Sequence, residues 1–591
     1  METIQSLLEA KLRSAVGEMA DFSPQVTPAT DPRFGDYQTN VAMILAKQQR
    51  ANPRQLAEQI LGQLSVADMC EPPEIAGAGF INFKLKAQWL GERFSQQLAD
   101  PRLGVAKPAR PKTIVIDFSG PNVAKPMHVG HIRSTILGDS IARIAEFAGH
   151  RVIRDNHIGD WGTQFGMLLV GWKSFLDVDA LALDPLTEME RLYKLVSALC
   201  KTDATVLDQA RQELVKLQAG DAENLHVWRE MIRLSQVQFD TIYSRLGVRF
   251  DVALGESFYN PQLKAVLEEL RTRGIAVESE GARCVFSDGS LPPEQDPFLI
   301  KDKDGWRPNP ALVLKSDGAS NYTTTDLATL WHRVKTWAPD EMIYVTDGRQ
   351  QLHFRQVFAI FRRWMPDAAA TVRLAHVWFG SIQGEDGRPF KTRTGDTIRL
   401  ADLLDEAEER ALKLVSEKNP ELSESERAEI ARIIGLGAVK YADLLPNRQS
   451  DYTFSWDKML SFQGNTAPYL QNAYVRIRSI FRKAAETAAP QSSASGAATA
   501  ITLTESAELA LAKKLLQFGE VLPQVLEDFR PNLLANYLYE LANTFHSFYE
   551  ACPVLKAEAG TRETRLALCD NTARILERGL GLLGIEVPER M

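Results

Sequence analysis

Residues 113–131 read TIVIDFSGPNVAKPMHVGH, and their reading decides the fold. The run Thr113-Ile114-Val115-Ile116-Asp117-Phe118 is short, apolar and rich in β-branched residues, as a strand buried on both faces of a parallel sheet must be. A Gly/Pro/Asn turn over 119–126 leads into an expected helix from about 127 to 149. Arg151-Val152-Ile153-Arg154 then reads as a second strand. Strand, helix and strand within about 40 residues make a βαβ unit.

Upstream, residues 1–100 read as a small α+β domain. Ile4, Leu7, Leu8 and Leu12 fall at helical spacing, further helices are expected at 36–50 and 54–64, and Gly79-Phe80-Ile81-Asn82-Phe83 reads as a strand. Residues 100–112, rich in Pro and Lys/Arg, read as a linker. Downstream, 185–250 is helical in pattern. Strand-like pieces follow at 283–286, 296–301 and 311–315, then a helix at 325–337, a strand at 341–345, a helix at 350–364 and a short strand at 372–374. The α/β domain therefore spans about 110–400, with its sheet split by an insertion at about 165–320. Everything beyond 400 reads as helix, including 401–417, 423–442 and 466–486. That gives a helical connecting region at 401–460 and an all-α bundle at 461–591. The Ala/Ser/Thr stretch 484–500 reads as a surface loop.

The chain has 591 residues, enough for about three or four domains. With 68 Lys+Arg against 76 Asp+Glu, its net charge of -8 excludes indiscriminate coating of a polyanion while leaving local basic patches open. Five scattered cysteines with no CxxC spacing argue against a disulfide framework and against structural zinc. The first twenty residues do not read as a targeting segment, and no apolar run approaches about 18 residues, so a cytoplasmic protein without membrane contact is expected.

His128-Val129-Gly130-His131 opens the helix directly after the turn. Helix-start amides and the macrodipole favour an anion there, and two imidazoles one turn apart can reach it. Gly130 would let a flat ring or a phosphate approach the backbone. A triphosphate site fits this pattern, and so does a simple pair of helix-capping histidines. No accompanying set of ligands supports a metal.

Pro121-Asn122-Val123-Ala124-Lys125-Pro126 before this motif and Asn156-His157-Ile158-Gly159-Asp160-Trp161-Gly162-Thr163-Gln164 after it resemble the class I aminoacyl-tRNA synthetases, and among them the arginyl-tRNA synthetase family. Phe34-Gly35-Asp36-Tyr37 and Gly79-Phe80-Ile81-Asn82-Phe83 resemble that family's N-terminal tRNA-contacting domain. Tyr322-Thr323-Thr324-Thr325-Asp326-Leu327-Ala328 resembles its amino-acid pocket, and Ala467-Pro468-Tyr469-Leu470-Gln471 and Leu538-Tyr539-Glu540-Leu541-Ala542 its anticodon-binding domain. The resemblance implies an α/β Rossmann-type catalytic core with an N-terminal α+β domain and a C-terminal all-α anticodon-binding bundle. It implies an ATP-dependent ligase that joins arginine to tRNA(Arg) through an arginyl-adenylate, with ATP and Mg2+; a monomer is the default expectation.

In such a reaction the attacking amino-acid carboxylate, with a pKa of about 3.3–3.7, is already ionised and needs no general base. What it needs is positioning and stabilisation of charge on phosphorus. By resemblance, His128, Gly130 and His131 bind ATP and neutralise the α-phosphate. Lys391 and Arg393, within Pro389-Phe390-Lys391-Thr392-Arg393-Thr394-Gly395, occupy the place of the cationic KMSKS loop of class I synthetases, and Lys391 is an implied ATP contact. Thr394 stands where some relatives carry lysine, and Lys125 is the substitute cation the family pattern suggests. Asp117, Asn122, Tyr322, Asp326 and Gln350 are the implied arginine-binding residues. A guanidinium calls for carboxylates and polar oxygens, and Tyr322 and Asp326 lie i,i+4 on a helix. Tyr469 and Arg476, ahead of a basic stripe, are the implied tRNA contacts, with base stacking on the aromatic ring. A site that hydrogen-bonds a polar substrate can reject analogues without editing, so no editing domain is expected. Another HxGH nucleotidyl transferase and a non-enzymatic tRNA-binding paralogue stay open as alternatives.

Overall fold

Five parallel strands form the sheet on which the site is built. In chain order they are β1 (Thr113–Asp117), β2 (Arg151–Ile158), β3 (Val252–Gly255), β4 (Glu341–Tyr344) and β5 (Arg373–His376), and across the sheet they run β5-β4-β1-β2-β3. The chain winds outward from β1 to β3, then returns to the other side of β1. The order therefore reverses between β1 and β4, and at that reversal the crossovers diverge and leave a crevice beyond the carboxyl ends of the strands. Ile114, Val115 and Ile116 in β1 and all four residues of β4 are buried, as central parallel strands require.

The computed structural model describes residues 1–17, 24–29, 31–388, 390, 398–487 and 501–591. Two compact units account for them: Arg110–Leu460, and Met1–Ala109 together with Ser461–Met591.

In the first unit, helix α1 (Val129–Ala148) crosses from β1 to β2. It stops at Gly149, which takes φ 106, a left-handed C-cap that costs a residue without Cβ nothing. Its seating on the sheet is tight, since a Cβ at Gly138 would lie 2.2 Å from Cγ of Phe118. Helices α2 (Tyr322–Trp337) and α3 (Gln351–Trp364) cover one face, where Val115, Ile153, Leu327, Leu330, Met342, Val357, Phe361 and Trp364 share a core.

Three expectations need correction here. Strand β2 does not end at Arg154; it runs to Ile158. Its second half, Asp155-Asn156-His157, is polar because it approaches the crevice, so the apolar signal fades before the strand does. The stretch 165–320 is not one insertion, because β3 lies within it and belongs to the main sheet. Helices fill 164–246 before β3. After it come a separate three-stranded sheet (Ala311–Leu314, Ala282–Val285, Val277–Ser279) and a hairpin pairing Leu299–Asp302 with Gly305–Pro308. Nor is everything beyond 400 helical. Leu400–Lys418 and Glu424–Leu444 are helices packed on one another, but Tyr452–Thr453 pairs in parallel with Ile382–Gln383. Two residues of strand carry too little periodicity to be read.

The second unit joins the two ends of the chain. Val26–Pro28, Tyr37–Thr39, Phe80–Phe83 and Glu74–Ala76 form, in that order, an antiparallel sheet. The helix expected over 36–50 is therefore Val41–Gln49 only; Tyr37 and Thr39 alternate as buried strand residues ahead of it. Helices Ile4–Val16, Pro53–Gln63 and Ala87–Ala99 belong to the same unit, as do Ala467–Thr487, Ser506–Leu516, Phe518–Asp528, Asn532–Ala551 and Thr561–Leu582. Buried Tyr37 donates its hydroxyl to Glu520 at 3.1 Å, and Lys513 meets Asp36 at 2.6 Å, so sheet and helices hold each other. Of the expected loop 484–500, residues 484–487 finish the first of these helices and 488–500 lie outside the described residues.

Candidate functional site

A cavity of about 680 Å³ opens in the crevice beyond β1, β2 and β4. Its floor is the turn after β1, where Ser119 (φ 74), Gly120 (φ 57) and Ala124 (φ 61) all take left-handed backbone. Two non-glycine residues there carry strain that the surroundings must hold. The Ser119 amide donates to Ser134 Oγ (2.9 Å), the Gly120 amide to Asn156 Oδ1 (3.1 Å) and the Ala124 amide to Ser235 Oγ (3.0 Å). The Val123 amide donates to the Gly159 carbonyl, and the Gly159 amide to that of Pro121, each at 3.0 Å. A Cβ on Gly159 would sit 2.2 Å from Asn122 Oδ1, so the Asn122 amide occupies space that only glycine leaves open.

His128 and His131 stand at the cavity wall where α1 begins. His128 is the N-cap and its Nδ1 accepts from the Gly130 amide at 3.0 Å; Nδ1 of His131 accepts from the His128 amide at 3.1 Å. With both Nδ1 atoms serving as acceptors, each neutral ring carries its proton on Nε2. Burial, reinforced by the neighbouring His128, pushes His131 down to about 3. Burial and the Lys125 charge lower His128 too. The histidines are therefore neutral N–H donors, not the charge-neutralising cations expected from the sequence. Gly130 also has a different task. A Cβ there would lie 2.8 Å from His128 Cε1 and 2.9 Å from its Nδ1, so the missing side chain makes room for the folded-back imidazole.

The other end of the cavity is acidic. Asp117 closes β1, and Tyr322 and Asp326 come from the first turns of α2. Gln350 comes from the short turn Gly348–Gln350, and Asn122 from the turn after β1. Asp326 does not cap its helix; Asn321 does, and Asp326 instead meets His353 Nε2 at 2.5 Å. The His353 ring lies 4.8 Å from that of Tyr322. Glu256, Thr346, Asp347 and His353 also line the cavity and were not picked out from the sequence. Burial, then the charges of Asp326 and Asp160, push the Glu256 carboxyl up to about 7. Beneath, buried Arg333 reaches Asp117 at 2.7 Å and Asp155 at 2.9 Å.

Lys125 does not line the cavity. Its ammonium lies over the Tyr193 ring, 5.0 Å from the centroid. Lys391 and Arg393 lie outside the described residues, but the chain on either side of them is placed. Phe390 stacks on Phe454 at 4.4 Å. On the far side, the Val129 amide donates to the Ile398 carbonyl (3.0 Å) and the Leu400 amide to that of Met127 (2.9 Å). The segment leaving that loop is thus hydrogen-bonded to the histidine motif itself. Among the described residues, no group of three or more His, Cys, Asp or Glu is arranged to hold a metal ion.

Tyr469 and Arg476 belong to the other unit, on Ala467–Thr487. The Tyr469 hydroxyl donates to Asn543 Oδ1 at 2.6 Å and its ring lies 5.6 Å from that of Tyr539. Arg476 Nη1 meets His546 Nε2 at 2.9 Å.

Three family models match the chain: "Arginyl tRNA synthetase N terminal domain" over residues 2–85, "tRNA synthetases class I (R), catalytic domain" over 93–456, and "DALR anticodon binding domain" over 470–591. An arginine–tRNA ligase of Synechococcus elongatus is 48% identical over 601 residues, covering 100% of this chain and 99% of the relative. One from Cellvibrio japonicus is 48% identical over 597 residues, covering 100% of both. Among solved structures, arginyl-tRNA synthetases of Thermus thermophilus (TM-score 0.83, 26% identity) and Plasmodium falciparum (TM-score 0.81, 28% identity) each align over 100% of both chains.

Proposed function

The chain belongs to the arginyl-tRNA synthetase family, and from that premise we propose how its cavity carries out the family's reaction. The enzyme joins arginine to tRNA(Arg) at the expense of ATP. The arginine carboxylate attacks the α-phosphorus, a P–O bond to pyrophosphate breaks, and arginyl-adenylate forms. A hydroxyl of the terminal tRNA ribose then attacks the carbonyl carbon, and AMP leaves.

The observation that carries the assignment of sites is the polarity of the cavity. One end presents Asp117, Asp326 and Glu256 and suits a substrate with two cationic groups. The other presents two neutral imidazoles and a helix N-terminus, donors suited to phosphate oxygens. In this reading Asp326, Tyr322 and Glu256 take the guanidinium, Asp117 and Asn122 the α-ammonium, and Gln350 closes the rim. Nε2–H of His128 and His131 donates to the phosphates, where the negative charge grows as phosphorus becomes five-coordinate. Lys391, Arg393 and Lys125 supply positive charge at the pyrophosphate end. Mg2+ enters with the triphosphate as part of the substrate. Tyr469 and Arg476 contact the anticodon.

The enzyme acts as a cytoplasmic monomer in this reading. Its five cysteines are unpaired and four are buried, as thiols in a reducing compartment can be. Among the described residues, no helix is long and apolar enough to cross a membrane.

Aminoacylation with arginine and total tRNA tests the activity, and charging with other amino acids should fail. ATP–pyrophosphate exchange is expected only when arginine and cognate tRNA are both present. Full-rate exchange without tRNA would overturn that dependence.

A further inference from the structure

Tyr322, Asp326 and Arg333 occupy positions i, i+4 and i+11 of α2 and therefore share one face. The first two line the cavity, whereas Arg333 is buried beneath it with 0% exposure. Its Nη2 donates to Asp117 Oδ2 at 2.7 Å and its Nε to Asp155 Oδ2 at 3.0 Å. The Tyr344 ring packs 5.1 Å from its Cζ. A buried ionic group of this kind is poor economy for stability alone, since apolar residues of similar size usually do as well. Asp155, also 0% exposed, cannot meet a ligand; it fixes the guanidinium from the β2 side. Asp117 can meet one, because its carboxyl lines the cavity. With Oδ2 held by Arg333, Oδ1 is the oxygen left for a substrate.

We infer that Arg333 is a positioning residue for amino-acid recognition: it ties Asp117, at the end of β1, to the helix that carries Asp326, so the site reads both cationic ends of its substrate. This rests on arginine occupying the cavity as described above. Asp326 and Arg333 lie seven positions apart, about 10 Å along the helix axis. Asp326 belongs to that helix, and Asp117 is tied to it from β1 through Arg333. A ligand lacking either cation loses one anchor, and a variant lacking Arg333 should lose the ability to notice the α-ammonium.

The test uses the full-length enzyme with cognate tRNA in pyrophosphate exchange. Two inhibitors serve as probes: agmatine, which keeps both cations but no carboxylate, and 5-guanidinovalerate, which lacks the α-amino group. Arg333→Gln should raise KM for arginine and Ki for agmatine about tenfold, the loss of one charge-assisted bond. KM for ATP and Ki for 5-guanidinovalerate should stay within about twofold. Arg333→Lys should recover part of the loss. Because Arg333→Gln leaves buried acids unpaired, the double variant D155N/R333Q guards against misfolding; it should melt near wild type and still fail to distinguish the two inhibitors. Unchanged discrimination in a stably folded variant would overturn the proposal, as would a fall in kcat with every KM and Ki unmoved. Asp326→Asn separates the two levels: if it too leaves KM for arginine unchanged, the occupancy of the cavity is wrong and this inference falls with it.

Discussion

The backbone amide of His128 donates to Nδ1 of His131 across 3.1 Å, so the second histidine of the motif is fixed by the first through the main chain. That bond sets the tautomer. The Gly130 amide does the same for the His128 ring, so Nε2–H of each is the group left for a ligand, and burial keeps the rings neutral. In the proposed mechanism the pair donates hydrogen bonds to a charge that grows in the transition state.

His128→Ala and His131→Ala should therefore each lower kcat for exchange by about 10²–10³-fold, the usual cost of one such donor. Because no imidazolium is required, kcat at saturating arginine should stay level between about pH 6 and 8. An acid-side fall centred on ordinary histidine titration would contradict this.

Affinity for arginine should behave differently. The Glu256 carboxyl titrates at about 7, raised by burial and by Asp326 and Asp160. Below that pH it holds a proton and attracts a guanidinium weakly; above it the group is negative. KM for arginine should fall several-fold as pH rises from about 6 to 8, and binding should release a proton. Glu256→Gln should raise KM about tenfold and flatten the profile. Steady-state kinetics across this range checks both outcomes.

Gly130→Ala tests the space under His128. The new Cβ would meet only the imidazole, at 2.8 Å from Cε1, so the ring must turn away while the helix stays. Stability should change by less than about 1 kcal/mol. Exchange should lose about tenfold or more in kcat with KM for arginine unmoved. A thermal melt beside the kinetics separates the two effects.

Lys125 now rests on the Tyr193 ring, an arrangement worth about 0.5–1 kcal/mol where it is exposed. Leaving the Tyr193 ring costs the side chain little more than that contact. Lys125→Ala should lower adenylate formation at least as much as Lys391→Ala. Single-turnover adenylate assays decide, and near-wild-type activity of the Lys125 variant would remove it from the mechanism.

Much of the architecture was legible because its signals are local. The run Ile114-Val115-Ile116 is a buried strand whatever surrounds it, and the Gly/Pro turn followed by His128 marks a helix start. The second half of β2 was not legible, since Asp155 and Asn156 are polar residues in a strand that approaches a site. Glu256 and His353 had no local signal. Each sits at the start of a helix far along the chain from α1, and only the crossovers bring them to one cavity. Arg333 was in principle readable, being in phase with Tyr322 and Asp326. An arginine flanked at i−3 and i+4 by Leu330 and Trp337 is the kind of exception that asks for a partner. The charge on the histidines was not readable, because it depends on which nitrogen the backbone occupies.

The pairing of Met127 and Val129 with Ile398 and Leu400 carries one last consequence. It works as a short zipper whose two strands each lead, within a few residues, to a lysine or arginine: Lys125 on one, Arg393 on the other. In the proposed mechanism, where Lys125, Lys391 and Arg393 serve the pyrophosphate end, both stretches of chain are thereby tethered at the histidine motif.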